Sequence, residues 1–599
     1  MTSVVKASSA TVERTDGSAG PRVDARRETG RLSTCASGDG AVVVRVDDLV
    51  IALRSRPLRR TRDSDQSGSG VTADGEGTIL VHGVDVELRR GQTLCVVGES
   101  GSGKSLTALA LMGLLPNAFA RPRGTATLAG QAGELDLLDP AVVSRVRGLR
   151  LGMIFQEPMT SLNPVQPIGE QIEEVLRLHR PDVGAAARAT AVREWLARVQ
   201  LPEPDRIAAS FPHQLSGGQR QRAMIAMALI GEPDVLIADE PTTALDVTVQ
   251  AEILRLIDAL KAERGMAVML ITHDFGVVAH HADHVAVMRL GRIVERGPRE
   301  RVLRRPEHAY TRSLIAALPE NLPPRRRRAP GDRLIEARGL SVHFPVYKGL
   351  LRRQVDVVRA LDGVDLDLHA GEVLAVIGES GSGKTTLGRA LLGLERVTAG
   401  QLKLFGEDMT GAKPRVWRSL RRRIQVVFQD PQSSLNPRLP IGELLTEPMA
   451  VHGIGADHED RERLAAEALA AVGLPAGSLE RFAHEFSGGQ RQRIGIAKAL
   501  VLDPEVIVCD EITSALDVSV QAEILRILER LIVERGIALV FITHNMGVVE
   551  ALADRVLVML QGRVVEAGSV DGVIKHPRES YTQKLLAAVP RLTPLNVAD

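Results

Sequence analysis

Eight residues, Gly98-Glu99-Ser100-Gly101-Ser102-Gly103-Lys104-Ser105, constrain this chain more than any others, because they recur as Gly378-Glu379-Ser380-Gly381-Ser382-Gly383-Lys384-Thr385. Both fit G-x-x-x-x-G-K-[S/T], a loop whose glycines let successive backbone N–H groups turn inward around anionic oxygens. Apolar, β-branched residues lead into each copy (Leu94 to Val97, Leu374 to Ile377), and helix-compatible runs follow (Leu106 to Leu115, Thr386 to Leu394). That strand–loop–helix context identifies a phosphate site at a helix N-terminus. Lys104 and Lys384 are expected to reach terminal phosphates, with the Ser105 and Thr385 hydroxyls on a magnesium ion.

The repetition extends far beyond the loops. Gly98 and Gly378 lie 280 positions apart, and Gln156 and Gln429 lie 273 apart. The offset then holds at 271 for Ser216 and Ser487, Glu240 and Glu511, His273 and His544, and Tyr310 and Tyr581. A constant offset over four landmarks predicts two homologous domains. The expected division is a disordered tail over 1–40, a first domain over 41–320 that opens with strands Ala41 to Val46 and Leu49 to Leu53 and carries a polar insertion at 54–77, a Pro/Arg linker over 321–332, and a second domain over 333–599. Arg325 to Arg328 read as a solvated charge run. Strands alternating with helical patterns predict two tandem α/β domains, each with a mainly parallel sheet.

Composition limits the classes of function. A net charge of +1 over 599 residues gives no global attraction to nucleic acid. Three cysteines without a C-x-x-C pair speak against a secreted disulfide framework, and Cys95 and Cys509 read as small buried hydrophobes. No segment approaches the ~20 apolar residues of a membrane-spanning helix, so action at a membrane would require another subunit to span it. The tail lacks the apolar core of a signal peptide.

Each half also ends a β-branched run in two acids, Asp239-Glu240 and Asp510-Glu511. The first acid of each pair suits a magnesium shell, and the second suits orientation or deprotonation of an attacking water. His273 and His544 close a further strand 33 positions beyond each glutamate, placed to bond a γ-phosphate or that water. Ser216-Gly217-Gly218-Gln219 and Ser487-Gly488-Gly489-Gln490 stand ahead of helical runs, where a capping hydroxyl and open N–H donors make a second anion surface.

These motifs, in this order, resemble the nucleotide-binding domains of ATP-binding cassette (ABC) proteins, in which Leu-Ser-Gly-Gly-Gln is the family signature. The resemblance implies a P-loop ATPase pair, each domain bearing a helical signature subdomain, arranged head to tail around two ATP molecules. The first site would join Gly98, Gly101, Gly103, Lys104, Ser105, Gln156, Asp239, Glu240 and His273 to Ser487, Gly488, Gly489 and Gln490. The second would join Gly378, Gly381, Gly383, Lys384, Thr385, Gln429, Asp510, Glu511 and His544 to Ser216, Gly217, Gly218 and Gln219. Gln156 and Gln429 complete the implied magnesium sets, Phe344 the adenine contact, and Asp246 and Asp517 match the family's D-loop. Leu53 stands where the first domain would carry that ring, which implies weaker adenine stacking there. Ile512 replaces a usual proline after Glu511.

Thr160-Ser161-Leu162-Asn163-Pro164 and Ser433-Ser434-Leu435-Asn436-Pro437, together with Pro306 to Thr311 and His576 to Thr582, look like the peptide-importer branch (dipeptide, oligopeptide, nickel). The partners implied are two integral-membrane permeases and, indirectly, an extracytoplasmic solute-binding protein, with the chain on the cytoplasmic face of the bacterial plasma membrane. No nucleic acid and no iron–sulfur centre are expected. The rival readings are a soluble twin-cassette ATPase acting on ribosomes or DNA, and a helical metal site at His280, His281 and His284.

Overall fold

The computed structural model describes residues 40–54, 76–130, 133–156, 161–242, 246–323, 325, 331–348, 353–430, 434–513 and 516–592. The tail at 1–39, the insertion's residues 55–75, and linker residues 324 and 326–330 lie outside the described residues.

The strands of the first half are Val42–Arg54 (β1), Glu76–Arg89 (β2), Thr93–Val97 (β3), Arg123–Gly130 (β4), Gly133–Asp136 (β5), Leu151–Ile154 (β6), Val235–Asp239 (β7), Ala267–Ile271 (β8), His284–Arg289 (β9) and Arg292–Pro298 (β10). They form an antiparallel sheet of order β2-β1-β4-β5 and a larger sheet of order β10-β9-β3-β8-β7-β6. In the larger sheet only the β9–β10 pairing is antiparallel. The second half repeats both sheets, with Val373–Ile377 running parallel between Ala538–Ile542 and Arg555–Leu560. A parallel sheet covered on both faces explains the unbroken apolar runs of β7 and β8, every residue of which is buried.

Strand alternation divides these residues between two cores. Cys95, Val97, Leu236 and Ala238 pack toward a lobe of helices that includes Ile168–His179 and Ala185–Arg198. Val96, Val235 and Ile237 pack toward the antiparallel sheet and the helix Lys104–Leu111. The phosphate loop therefore leaves a strand clamped on both faces.

Two expectations need correction. The opening is one strand, because Asp48 takes a positive φ of 50° and absorbs a bulge between Val46 and Leu49. Asp85 accepts the displaced Asp48 N–H at 2.8 Å, so the ladder continues past the polar pair Asp47-Asp48. The linker is also not solvated at Arg325, which is 6% exposed. Its guanidinium pairs with Asp554 and donates to the Leu552 carbonyl at 3.3 Å, and its N–H reaches Ala551 O at 3.2 Å. Burial of this arginine is tolerated because carboxylate and carbonyl oxygens replace its water.

The ends of the halves cross over reciprocally. Leu322 packs against the core of the second half, and Leu592 against that of the first. Gly276 lies so close to the C-terminal segment of the second half that a Cβ there would come within 2.1 Å of Pro590 O. Gly547 faces Pro319 in the same way, where a Cβ would approach to 3.3 Å.

Candidate active sites

Both phosphate loops require glycine at three positions. Gly98, Gly101 and Gly103 have φ of 151°, 76° and 102°, and Gly378, Gly381 and Gly383 have 147°, 76° and 104°. The helices begin at Lys104 and Lys384 themselves, so the lysines sit on the first turn. Lys104 Nζ donates to Gly98 O at 2.6 Å and Glu99 O at 2.8 Å, while Lys384 makes the same bonds at 2.8 and 2.7 Å. Burial lowers the pKa of both ammonium groups below the usual lysine range.

At the strand ends, Glu240 and Glu511 have φ of 47° and 48°, a conformation costly for a residue with a Cβ. Each is held by its N–H, which donates at 3.0 Å to Ile271 O or Ile542 O. The strain turns both carboxylates toward the same neighbours. Gln156 Nε2 donates to Glu240 Oε2 at 3.2 Å and Gln429 Nε2 to Glu511 Oε2 at 2.9 Å. His273 Nδ1 lies 3.3 Å from Glu240 Oε1, and His544 Nδ1 lies 3.8 Å from Glu511 Oε1. The glutamine, glutamate and histidine expected from sequence thus meet in each half.

The aspartates lie deeper. Thr385 Oγ1 donates to Asp510 Oδ1 at 3.3 Å, and the Ser105 hydroxyl lies near enough to Asp239 to counter part of the rise that burial causes in its pKa. Burial raises the pKa of Asp239 and Asp510, with the neighbouring glutamate charge adding to it at Asp510. Asp239 Oδ1 is buried without a hydrogen-bond partner among the described residues. An orphaned carboxylate oxygen beside a serine hydroxyl is a fitting pair of donors for a hard cation.

Proton balance at the histidine gives a testable sign. Burial opposes charge on His273, but the hydrogen bond and charge of Glu240 outweigh it and raise its pKa above 6.5. The charged pair therefore contributes fully at pH below the unfolded value and is lost as pH rises through the higher folded one. An NMR titration of His273 is expected to give a midpoint above 6.5, and Glu240→Gln is expected to lower it.

Contacts between the halves converge on these loops. Asp517 Oδ1 accepts from Ser100 N at 2.8 Å, and Asp246 accepts from Ser380 N in the mirrored contact. Thr248 Oγ1 donates to Glu379 Oε1 at 2.9 Å, and Ser519 Oγ donates to Glu99 Oε1. The expected interface role of Asp246 and Asp517 is therefore reproduced in geometry. Glu99, Glu379, Thr248 and Ser519 were not singled out from sequence, although the last two share the 271 offset.

Residues Ser216 to Gln219 and Ser487 to Gln490 form capping boxes on their own helices. Ser216 Oγ accepts from Gln219 N at 3.2 Å while Gln219 Oε1 accepts from Ser216 N at 3.0 Å, and Ser487 and Gln490 repeat this. A cavity of about 480 Å³ beside the second loop is lined by Gly378 to Gly381, Gly383, Lys384, Thr385, Gln429, Glu511 and His544, with Asp246 from the first half. The signature residues Ser216 to Gln219 do not line it. Val358, Arg359 and Ala360 also line the cavity, whereas Phe344, paired with Val358 across the strands, does not. In the first half Leu53 instead bridges to Phe119.

The three histidines of the rival metal site are engaged separately. His280 bonds Arg591 O at 3.0 Å, His281 bonds Asp258 at 2.6 Å, and His284 belongs to β9, beyond the helix Phe275–His281. The spacing does not lie on one helix.

Comparison with known proteins gives two family matches. The ABC transporter model matches residues 81–243 and 361–514, and the oligopeptide/dipeptide transporter C-terminal region matches 294–339 and 565–597. The chain is 46% identical over 515 residues to a peptidoglycan transport ATP-binding protein, YejF, of Agrobacterium fabrum, covering 86% of this chain and 93% of that one. It is 46% identical over 553 residues to the glutathione import ATP-binding protein GsiA of Salmonella typhimurium, covering 87% and 88%. Among solved structures, a dimeric ATP-binding cassette, MJ0796, bound to ADP and Pi aligns with 40% of this chain at 26% identity and a TM-score of 0.36.

Proposed function

We propose that this chain, which belongs to the ABC transporter family, is the ATP-hydrolysing, energy-coupling subunit of an importer for peptides or peptide-like solutes. The observation that carries the reading is the duplicated triad of Gln156, Glu240 and His273 and of Gln429, Glu511 and His544, each beside a phosphate loop touched by the other cassette. Duplicate triads support hydrolysis at both sites. The C-terminal region match and the relatives named for glutathione and peptidoglycan transport support a peptide-like substrate.

In this reading Lys104 and Lys384 leave their loop carbonyls to pair with ATP phosphates. Glu240 and Glu511 accept the proton of an attacking water, while His273 and His544 hold those carboxylates and face the terminal phosphate. Ser105, Asp239 and Gln156, and Thr385, Asp510 and Gln429, would hold Mg2+, which when bound neutralises phosphate charge. Ser487 to Gln490 and Ser216 to Gln219 would offer their helix N-termini to the opposite ATP. Phe344 supplies an aromatic face for adenine at the second site. The domains are taken as 41–320 and 333–599, each with its own phosphate loop, acid pair and signature segment.

No described helix is long and apolar enough to cross a membrane, so permeation belongs to partner subunits. Two permeases, a solute-binding protein and attachment at the cytoplasmic face complete the proposal. A tagged Glu240→Gln, Glu511→Gln variant, incubated with ATP and magnesium in solubilised native membranes, should recover two polytopic permeases. Recovery of ribosomes or DNA without a membrane protein would instead favour a soluble twin-cassette ATPase.

A further inference from the structure

We infer that Tyr310 and Tyr581 are positioning residues that fix the two phosphate loops for ATP, each tying a loop's second residue to the C-terminal segment of its own cassette. The inference rests on the nucleotide sites proposed above. Tyr310 OH accepts from Glu99 N at 3.3 Å, and Tyr581 OH accepts from Glu379 N at 3.1 Å. These bonds span 211 and 202 residues of sequence and recur in both cassettes, so they are features of the architecture and not of one turn.

The far end of each bond is anchored. Glu295 accepts from Glu307 N at 2.8 Å and His308 N at 3.1 Å, fixing the turn that presents Tyr310. Glu566 does the same for Arg578 N at 2.9 Å and Glu579 N at 3.3 Å ahead of Tyr581. Thr311 and Thr582, the residues that follow, are fully buried. The Arg289 guanidinium lies 4.7 Å from the Tyr310 ring centroid.

The near end is shared with the other cassette. Glu99 gives its N–H to Tyr310 and receives Ser519 on its carboxylate, while Glu379 gives its N–H to Tyr581 and receives Thr248. Each loop is thus held from its own C-terminal segment and from the facing cassette through one residue. A loop with three glycines at positive φ has broad conformational freedom. One fixed N–H at its second residue narrows that freedom before ATP arrives, and preorganisation of this kind strengthens binding. The tyrosines touch no reacting atom, so their effect belongs in KM and not in kcat.

The test is a Tyr310→Phe, Tyr581→Phe variant of the full chain, which keeps both rings and removes both acceptors. Loss of one hydrogen bond per loop is expected to raise the KM for ATP about fivefold, with kcat within about twofold of the parent. The unfolding midpoint without nucleotide should stay at the parent value. An unchanged KM overturns the inference. So does a variant that is unfolded or shifted in midpoint, because the hydroxyls would then serve packing. If the parent chain itself shows no turnover, the functional proposal fails, and equilibrium binding of ATP to parent and variant still decides the tyrosines by the same fivefold difference.

Discussion

Replacing both Glu240 and Glu511 by glutamine is expected to lower ATP turnover roughly 10²- to 10⁴-fold, the range lost when a positioned general base is removed. Glutamine keeps the size of each side chain and the strained backbone, so binding should survive. It removes the anionic oxygens that face Gln156 and His273 in one site and Gln429 and His544 in the other. The φ of 47° and 48° at these positions costs on the order of 1–3 kcal/mol each, and its recurrence argues that the aim of the carboxylate matters. Each single substitution should lower turnover by itself. A Glu511→Gln chain with parental turnover would show that only the first site hydrolyses.

The second large effect concerns two glycines of one loop. Gly378→Ala should abolish ATP binding at the second site, whereas Gly381→Ala should weaken it by no more than roughly 30-fold. Both positions have left-handed φ, 147° and 76°, and a Cβ in such a conformation costs about 1–2 kcal/mol. They differ in surroundings. A Cβ on Gly381 meets nothing within 4 Å, but one on Gly378 would come within 2.3 Å of Met559 O, a backbone atom of a central strand. The loop must move off that strand, which displaces the backbone N–H groups that would face the phosphates. Nucleotide titration of both variants in a Lys104→Ala background, which silences the first loop, reads the difference. Equal losses would show that φ alone governs the loop.

Much of the site was legible because its chemistry is written in short segments. Gly98 to Ser105, Asp239-Glu240 and His273 each end or follow an apolar strand, and a parallel sheet brings strand ends to one edge. The 271 offset carried the same inference to the second half. What the sequence concealed depends on packing across the chain. The buried pairing of Arg325 with Asp554 joins residues 229 positions apart, and a run of arginines read locally gives no sign that one finds a carboxylate. The bulge at Asp48 hides because two polar residues in a row resemble a loop. Tyr310 and Tyr581 were visible as landmarks, yet their task is clear only when the segment folds back on Glu99 and Glu379. Gln219 and Gln490 carry a role inside their own helix caps that the motif alone does not reveal.

In the proposed arrangement each ATP is held by one cassette's phosphate loop and the other cassette's signature segment. Labelled ATP retained per chain by the Glu240→Gln, Glu511→Gln protein tests it directly, with and without Gly488→Asp. A Cβ at Gly488 meets nothing within 4 Å, so its own helix should tolerate the change, while the new carboxylate would repel phosphate across the interface. Two retained ATP molecules are expected to fall to one, the survivor being at the second loop. Retention of both would contradict it, because the signature segment would then belong to neither site.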